Sequence, residues 1–121
     1  MRNFREFTFW KDAVFLAKDI CVYTRRFPSE ERYGLGDQLR RACVSIASNI
    51  AEGAGRSSDS DFAHFLDIAL GSSYEVETQI YIAEQLNYFS KEERQELIDR
   101  IRSIQRRISS FINSVRKGES L

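Results

Sequence analysis

The sequence has few of the turn-forming residues that β-rich folds require, and it has no long apolar run. It contains one proline and six glycines in 121 residues, whereas an all-β sandwich or barrel needs turn formers between its many short strands. No apolar run approaches the roughly 18 residues of a membrane span. The residues that follow Met1 also lack the apolar core and cleavage site of a signal peptide. We therefore expect an all-α protein that is soluble, cytoplasmic and free of membrane contact.

Two cysteines and one histidine leave few residues for metal binding or nucleophilic catalysis. Cys21 and Cys43 form no C-x-x-C pair and lie on apolar helical faces, so we expect reduced thiols that serve packing. His64 falls opposite the apolar stripe of its segment, which favours an exposed side chain. A di-metal bundle needs two Glu-x-x-His pairs, and a hydrolase needs a histidine beside its nucleophile. The sequence therefore predicts no enzyme activity, no cofactor and no metal site.

Apolar residues recur at helical spacing in four segments separated by short breaks. Pro28 ends the first segment, and Ser58 and the capping box of Ser90 and Glu93 open the third and fourth. Short connections make consecutive helices antiparallel neighbours. The predicted fold is an antiparallel up-down-up-down four-helix bundle, a single domain over residues 1–121. Its helices are predicted at residues 8–27, 37–52, 59–88 and 91–117.

A row of apolar residues on the third segment lies away from its main core face. The third and fourth segments are roughly eight residues longer than the others, which at 1.5 Å per residue leaves about 12 Å without cover. A second copy of the chain is the simplest cover. The alternative is that Phe4, Phe7 and Phe9 fold back over the bundle. The residues predicted to contact a second copy are Leu70, Tyr74, Tyr81 and Tyr88, together with Phe15 and Val22 of the first segment.

Polar and charged residues fall in the middle of the second and third segments. Arg40 and Arg41 are adjacent and so lie about 100° apart on a helix, which brings at least one of them near a packed side. We expect an arginine of the second segment to pair with Glu75 or Glu77 of the third, in a buried or interfacial ion pair that sets helix register. A pair of surface arginines is the alternative. The predicted polar core consists of Arg41, Asn49, Glu52, Glu75 and Glu77.

The 18 basic and 18 acidic residues give no net charge, which excludes a basic coat over the whole molecule. The distribution is uneven, because residues 52–86 carry a net charge of −6 and residues 90–117 a net charge of +4. Four cations of the last segment fall within about 100° of arc, opposite its apolar face. They predict an outward patch for phosphate groups, and a solvated helix face is the alternative. The patch comprises Arg102, Arg106, Arg116 and Lys117.

The turn at residues 53–58 reads GAGRSS and has the ingredients of a phosphate site before a helix N-terminus. No strand precedes it and no Gly-Lys-Ser or Gly-Lys-Thr follows, so the context of a nucleotide-binding loop is missing. An ordinary turn between helices is therefore the favoured interpretation. Arg56 in this turn is a further residue predicted to contact nucleic acid, apart from the patch on the last segment.

One stretch resembles a known family. Residues 38–53 read QLRRACVSIASNIAEG, and they are accompanied by Trp10, by Phe27-Pro28, by YGL at residues 33–35 and by IALGS at residues 68–72. With these motifs nearly the whole chain resembles the bacterial four-helix-bundle proteins called 23S rRNA intervening sequence proteins. The resemblance implies a small homopentamer encoded within an insertion in a ribosomal RNA gene or elsewhere in a bacterial genome.

Members of that family also resemble the accessory variability determinants of diversity-generating retroelements. Those proteins are barrel-shaped pentamers that bind nucleic acid and a reverse transcriptase, and they are strongly basic where this chain is neutral. The function implied is that of a non-enzymatic homo-oligomer, a pentamer by resemblance, that binds RNA or another nucleic acid. The alternative is a scaffold or accessory subunit that binds a protein partner without direct nucleic-acid contact.

Overall fold

The computed structural model describes residues 2–119, and within this range the backbone forms four α-helices and no strand. Two short 3-10 helices lie at Phe4–Glu6 and Ser29–Glu31. The structure is an antiparallel up-down-up-down four-helix bundle, which confirms the predicted fold class. The helices are α1 (Thr8–Thr24), α2 (Leu35–Ala54), α3 (Asp59–Gln85) and α4 (Lys91–Arg116).

Each helix packs against its two neighbours around the bundle. α2 contacts α1 and α3, and α4 contacts α3 and α1. α1 and α3 therefore stand at diagonally opposite corners. All four helices contribute to one apolar core, in which burial of each large side chain stabilises the fold by about 1.5–3 kcal/mol. Its fully buried members include Leu16, Ile46, Phe62, Leu66 and Ile101.

The predicted caps of α3 and α4 are confirmed. The Ser58 hydroxyl accepts a hydrogen bond from the Asp61 amide at 3.1 Å, and Ser90 and Glu93 form a reciprocal capping box. After α4, Gly118 takes a φ of +69°, a left-handed conformation that glycine adopts without steric cost. The side chains of Ser58, Ser90 and Glu93 accept hydrogen bonds from amides that an uncapped helix would leave without partners.

The predicted ends of α1 and α3 and the predicted start of α2 were wrong. α1 ends at Thr24 instead of Phe27. α2 begins at Leu35 instead of Asp37, because Glu31 Oε1 accepts a hydrogen bond from the Leu35 amide at 3.0 Å. α3 ends at Gln85, because Asn87 takes a φ of +62° and turns the chain away. Tyr88 consequently lies beyond the helix and does not continue the tyrosine row.

The N-terminal phenylalanines fold back over one end of the bundle, as the alternative interpretation held. Phe9 is buried, and the half-buried Phe7 places its ring 4.9 Å from that of Phe111. This cluster covers the end where α3 begins and α4 finishes. It leaves Tyr74, in the middle of α3, and Tyr81, near the end of α3, exposed.

Candidate nucleic-acid interface

The four cations predicted to contact nucleic acid share the outward face of α4. Arg102, Arg106, Arg116 and Lys117 are exposed, because the buried row from Leu97 to Val115 takes the opposite side of the helix. The structure therefore brings the predicted residues onto one surface. From residue 102 to residue 116 the patch extends along about 21 Å of helix.

Carboxylates of α3 engage two of these cations. Arg102 Nε lies 3.5 Å from Glu77 Oε2, and Arg102 Nη2 donates a hydrogen bond to the Tyr81 hydroxyl at 3.3 Å. Arg116 pairs with Asp67. Exposed ion pairs of this kind contribute about 0–1 kcal/mol each, so a phosphate group competes with these carboxylates at little cost. The patch is nevertheless less positive than the sequence of α4 alone indicates.

The remaining predicted cations differ in how far they are engaged. Among residues 2–119, Arg106 and Lys117 form no salt bridge. Arg56 donates a hydrogen bond to Glu52 Oε1 at 2.9 Å, and its guanidinium carbon lies 4.5 Å from the centre of the Phe65 ring. Arg56 therefore holds the turn between α2 and α3. Arg106 and Lys117 are the patch residues with the most charge to offer a phosphate.

The six residues predicted to contact a second copy divide into two groups. Tyr88 is half-buried, and its hydroxyl donates a hydrogen bond to Glu31 Oε2 at 2.9 Å, which raises the Tyr88 pKa. Leu70 is half-buried against the core. Contact with a second copy stays a prediction for the group that is exposed, which consists of Phe15, Val22, Tyr74 and Tyr81.

The predicted ion pair between Arg41 of α2 and a glutamate of α3 was wrong. The Arg41 side chain is 80% exposed, and its Nε donates to Asp37 Oδ2, one turn earlier in the same helix, at 3.0 Å. Arg40 is the arginine that turns towards a packed side, and its Nη1 donates to Thr24 Oγ1 of α1 at 3.1 Å. The two arginines thus take different faces of α2, and neither faces a glutamate of α3.

The other residues of the predicted polar core do not meet either. A buried amide that was not predicted, that of Gln105 on α4, donates hydrogen bonds to the Ser73 carbonyl and to Glu77 Oε1 of α3. Its only signal in the sequence is an amide beside the aliphatic row of α4. The observed partners are the Ser45 carbonyl for Asn49, Arg56 for Glu52, the Gln79 amide for Glu75, and both the Gln105 amide and Arg102 for Glu77.

Cys43 is buried, and burial raises its pKa to about 12, so the thiol stays protonated at neutral pH and is a poor nucleophile. Cys21 is half-buried and His64 is exposed, as predicted for the histidine.

In the described part of the chain no three His, Cys, Asp or Glu side chains are grouped as metal ligands. None of the described helices is both long and apolar enough to span a membrane.

Residues 5–110 match the family model for the 23S rRNA-intervening sequence protein. The chain belongs to this family. The matched range includes the stretch at residues 38–53 that carries the resemblance in the sequence. No curated protein matches this 23S rRNA-intervening sequence protein.

A solved structure has the same fold as this 23S rRNA-intervening sequence protein. It is the crystal structure of a protein with unknown function from the S23 ribosomal protein family of Bacteroides thetaiotaomicron VPI-5482. The two structures superimpose with a TM-score of 0.80 at 23% sequence identity, and the match covers 87% of this chain and 98% of that chain. At this identity the similarity establishes the four-helix fold.

Substitution of Arg41 by alanine in this 23S rRNA-intervening sequence protein should lower the free energy of unfolding by less than about 1 kcal/mol. Arg41 is exposed, and its pair with Asp37 is an ordinary contact four residues apart on one helix. Urea denaturation measures the effect. Arg100→Ala is the control with a larger expected loss, because half-buried Arg100 lies 2.8 Å from Asp19 on α1. A loss above about 3 kcal/mol for Arg41→Ala would indicate a buried pair and contradict this placement.

Three exposed cations outside α4 were not predicted as a group. Lys11 lies on the outer face of α1, Arg25 directly follows α1, and Arg32 lies in the loop before α2. Within residues 2–119 none of the three forms a salt bridge. The signal in the sequence is the seven-residue spacing of Lys11, Lys18 and Arg25.

Proposed function

We propose that this 23S rRNA-intervening sequence protein is a non-enzymatic homo-oligomer that binds RNA. The family resemblance implies five copies. The observation that best supports RNA binding is the exposed row of cations on α4, which contains Arg106 and Lys117. Because the net charge is zero, attraction of phosphates depends on this local patch and not on the field of the whole molecule.

Oligomerisation supplies the affinity that one patch lacks. In each copy Arg102 and Arg116 already share their charge with carboxylates of α3, so a single patch binds phosphates weakly. An oligomer repeats the patch, and weak contacts to one RNA molecule combine through their effective concentration. The cations project from a convex helix face and contact the phosphate backbone, which carries no direct sequence information. We therefore expect binding that tolerates many RNA sequences.

Reversal of two charges in the patch should abolish most of this binding. A structured RNA is expected to bind the wild type at about 50 mM salt and to dissociate as salt approaches about 200 mM, because bound cations release counterions. The Arg102→Glu, Arg106→Glu variant should lose most binding at about 50 mM salt while it keeps the oligomeric mass of the wild type. An electrophoretic mobility shift assay and sedimentation velocity measure the two properties.

The control variant is Arg5→Glu, Arg41→Glu, which changes the net charge equally at exposed positions outside the α4 patch. It should retain binding. Equal losses in the two variants would mean that only total charge matters. Full binding by the Arg102→Glu, Arg106→Glu variant would move the site elsewhere, with Arg56 as the next residue to replace.

A protein-binding scaffold or accessory subunit without nucleic-acid contact is the second candidate. Neutral net charge favours it, as does the engagement of Arg56, Arg102 and Arg116 by carboxylates. The resemblance of the family to accessory variability determinants, which the sequence alone suggests, would fit this candidate as well, because those proteins also bind a reverse transcriptase. Failure of the wild type to bind RNA at about 50 mM salt would contradict the RNA proposal and favour the scaffold.

A further inference from the structure

The outer face of α1 and the turn after it carry a row of residues spaced as in a helix-packing surface. Lys11, Phe15, Lys18, Val22 and Arg25 follow one another at intervals of four, three, four and three residues, the spacing of a seam between helices. We call this row the α1 stripe. Phe15 is 60% exposed and Val22 is 47% exposed, so the apolar members of the stripe are left uncovered by their own bundle.

The α1 stripe is positively charged at both ends and in the middle. Among the described residues, 2 to 119, Lys11 and Arg25 have no salt-bridge partner. Lys18 forms a salt bridge with its neighbour in sequence, Asp19, which also pairs with Arg100 of α4 at 2.8 Å. A partner surface that matches this stripe must therefore combine apolar side chains with negative charge.

The outer face of α3 has that combination. Ile68, Glu75 and Ile82 lie seven residues apart, with Gly71 and Thr78 between them. We call this row the α3 stripe. Ile68 and Ile82 are exposed, and Glu75 forms no salt bridge with any residue from 2 to 119. Its central carboxylate between two aliphatic side chains complements Lys18 between Phe15 and Val22.

Gly71 is the member of the α3 stripe that packing within the bundle does not explain. Glycine inside a helix costs about 1 kcal/mol relative to alanine, yet a Cβ atom at Gly71 would meet no atom within 4 Å. Gly53 of α2 differs, because a Cβ atom there would lie 2.6 Å from Phe65 Cβ. The bundle therefore needs glycine at position 53 and leaves position 71 open. Next to exposed Ile68 and Glu75, Gly71 carries no side chain and so leaves room for a bulky side chain from a facing helix.

We propose that a second copy of this chain docks its α1 stripe on the α3 stripe, with Phe15 seated over Gly71 and Lys18 beside Glu75. Charge complementarity selects this occupant, because the α1 stripe is basic and the α3 stripe offers Glu75, an exposed carboxylate that no cation among residues 2–119 engages in a salt bridge. Tyr74 and Tyr81 lie on the adjoining side of α3, at the margin of the contact. This inference rests on the proposed homo-oligomer and names the faces that build it.

The placement of the two stripes also sets the symmetry of the assembly. α1 and α3 stand at opposite corners of the bundle, so the stripes face different neighbours. Each copy then presents its α1 stripe to one neighbour and its α3 stripe to the next, which is a heterologous contact. Such contacts form a ring when the rotation between copies closes.

A mixing experiment with two variants tests the pairing. Variant one is Phe15→Glu, Val22→Glu, and variant two is Ile68→Glu, Ile82→Glu; all four positions are exposed. Each variant alone should sediment as a monomer where the wild type is an oligomer, because charges enter the contact. An equimolar mixture should form a dimer and nothing larger, since one intact α1 stripe and one intact α3 stripe remain. Circular dichroism shows whether each variant is folded.

A third variant separates assembly from folding. In the Phe15→Glu, Val22→Glu background, which is expected to be monomeric, Gly71→Gln should leave the thermal midpoint unchanged or raise it, because glutamine favours the helix and its Cβ atom meets no atom within 4 Å. In the otherwise wild-type chain it should weaken assembly by more than about tenfold, because it fills the room left for Phe15. The control is Tyr33→Glu, Val44→Glu, two exposed positions outside both stripes, and it should keep the wild-type mass.

The outcomes distinguish failure of the inference from failure of the proposed function. A monomeric wild type would contradict the homo-oligomer itself. An oligomeric wild type whose mass survives in either glutamate variant, or a mixture that stays monomeric, would overturn the pairing of stripes. Loss of RNA binding with unchanged mass in the Phe15→Glu, Val22→Glu variant would assign the α1 stripe to RNA and equally overturn it.

Discussion

Replacement of Phe62 by alanine should lower the free energy of unfolding by about 3–5 kcal/mol, through the lost apolar contact and the cavity left behind. Phe62 is fully buried at the start of α3. Its ring stacks 6.3 Å from that of Phe7 and meets the ring of Phe111 edge-on at 5.9 Å. The Arg2 guanidinium also lies 4.5 Å from the centre of the ring. The substitution therefore removes the α3 side chain that contacts both Phe7 of the N-terminal segment and Phe111 of α4.

Urea denaturation followed by circular dichroism measures this loss. Tyr33→Ala is the control, because Tyr33 is 86% exposed and an exposed aromatic truncation should change stability by no more than about 0.5 kcal/mol. A domain of this size is stabilised by only about 5–15 kcal/mol in total, so the Phe62 effect is large in proportion. A loss for Phe62→Ala no greater than that for Tyr33→Ala would contradict the aromatic cluster.

Addition of a single methyl group at Gly53 should lower the free energy of unfolding by about 1–3 kcal/mol, as overpacking does. A Cβ atom there would lie 2.6 Å from Phe65 Cβ and 3.1 Å from Phe62 Cδ1. Both neighbours belong to α3, so α2 and α3 must separate or Phe62 must leave its place. The close approach of these two helices therefore depends on the absence of a side chain at position 53.

The same substitution at Gly71 is the matched control. Both glycine substitutions are made in the Phe15→Glu, Val22→Glu background, which is expected to be monomeric, so that assembly does not contribute to stability. There a Cβ atom at Gly71 meets no atom of its own chain within 4 Å, so Gly71→Ala should raise the free energy of unfolding by about 0.5–1 kcal/mol through helix propensity alone. Urea denaturation should therefore show a lower free energy of unfolding for Gly53→Ala and a higher one for Gly71→Ala. A loss of stability at both positions would contradict the open space at Gly71, and a gain at both would contradict the close contact at Gly53.

Features encoded over a few residues were predictable from the sequence. The Ser90 and Glu93 capping box and the Ser58 cap depend on groups three residues apart, and both form as expected. The apolar row of α4 identifies its buried face by periodicity alone. Because short connections force neighbouring helices to run antiparallel, four such segments lead directly to the bundle.

Features that depend on which faces meet were not predictable. The cap of α2 comes from Glu31, which reaches Leu35 only because a 3-10 helix brings it there. Arg41 finds Asp37 in its own helix because α2 is rotated so that Arg40 faces α1. In both cases the sequence offers several possible partners, and the geometry of the folded chain determines which of them forms the contact.

The candidate site shows the same division. Periodicity placed Arg102 and Arg116 on an outward face correctly. The carboxylates that engage them, Glu77 and Asp67, belong to α3 and meet them through the register of α3 against α4. Whether a helical glycine is required for packing also depends on its surroundings. The sequence does not distinguish Gly53, where neighbouring atoms leave no room for a side chain, from Gly71, where they do.

The most direct test of an RNA-binding homo-oligomer is sedimentation velocity of the wild-type protein with a fluorescently labelled structured RNA. The measurement compares about 50 mM with about 200 mM salt, a range over which phosphate contacts weaken strongly. We expect one oligomeric species for the protein alone, five copies by family resemblance, with RNA that co-sediments at the lower salt and separates at the higher. A protein that sediments as a 14.1 kDa monomer and leaves the RNA free at about 50 mM salt would contradict it.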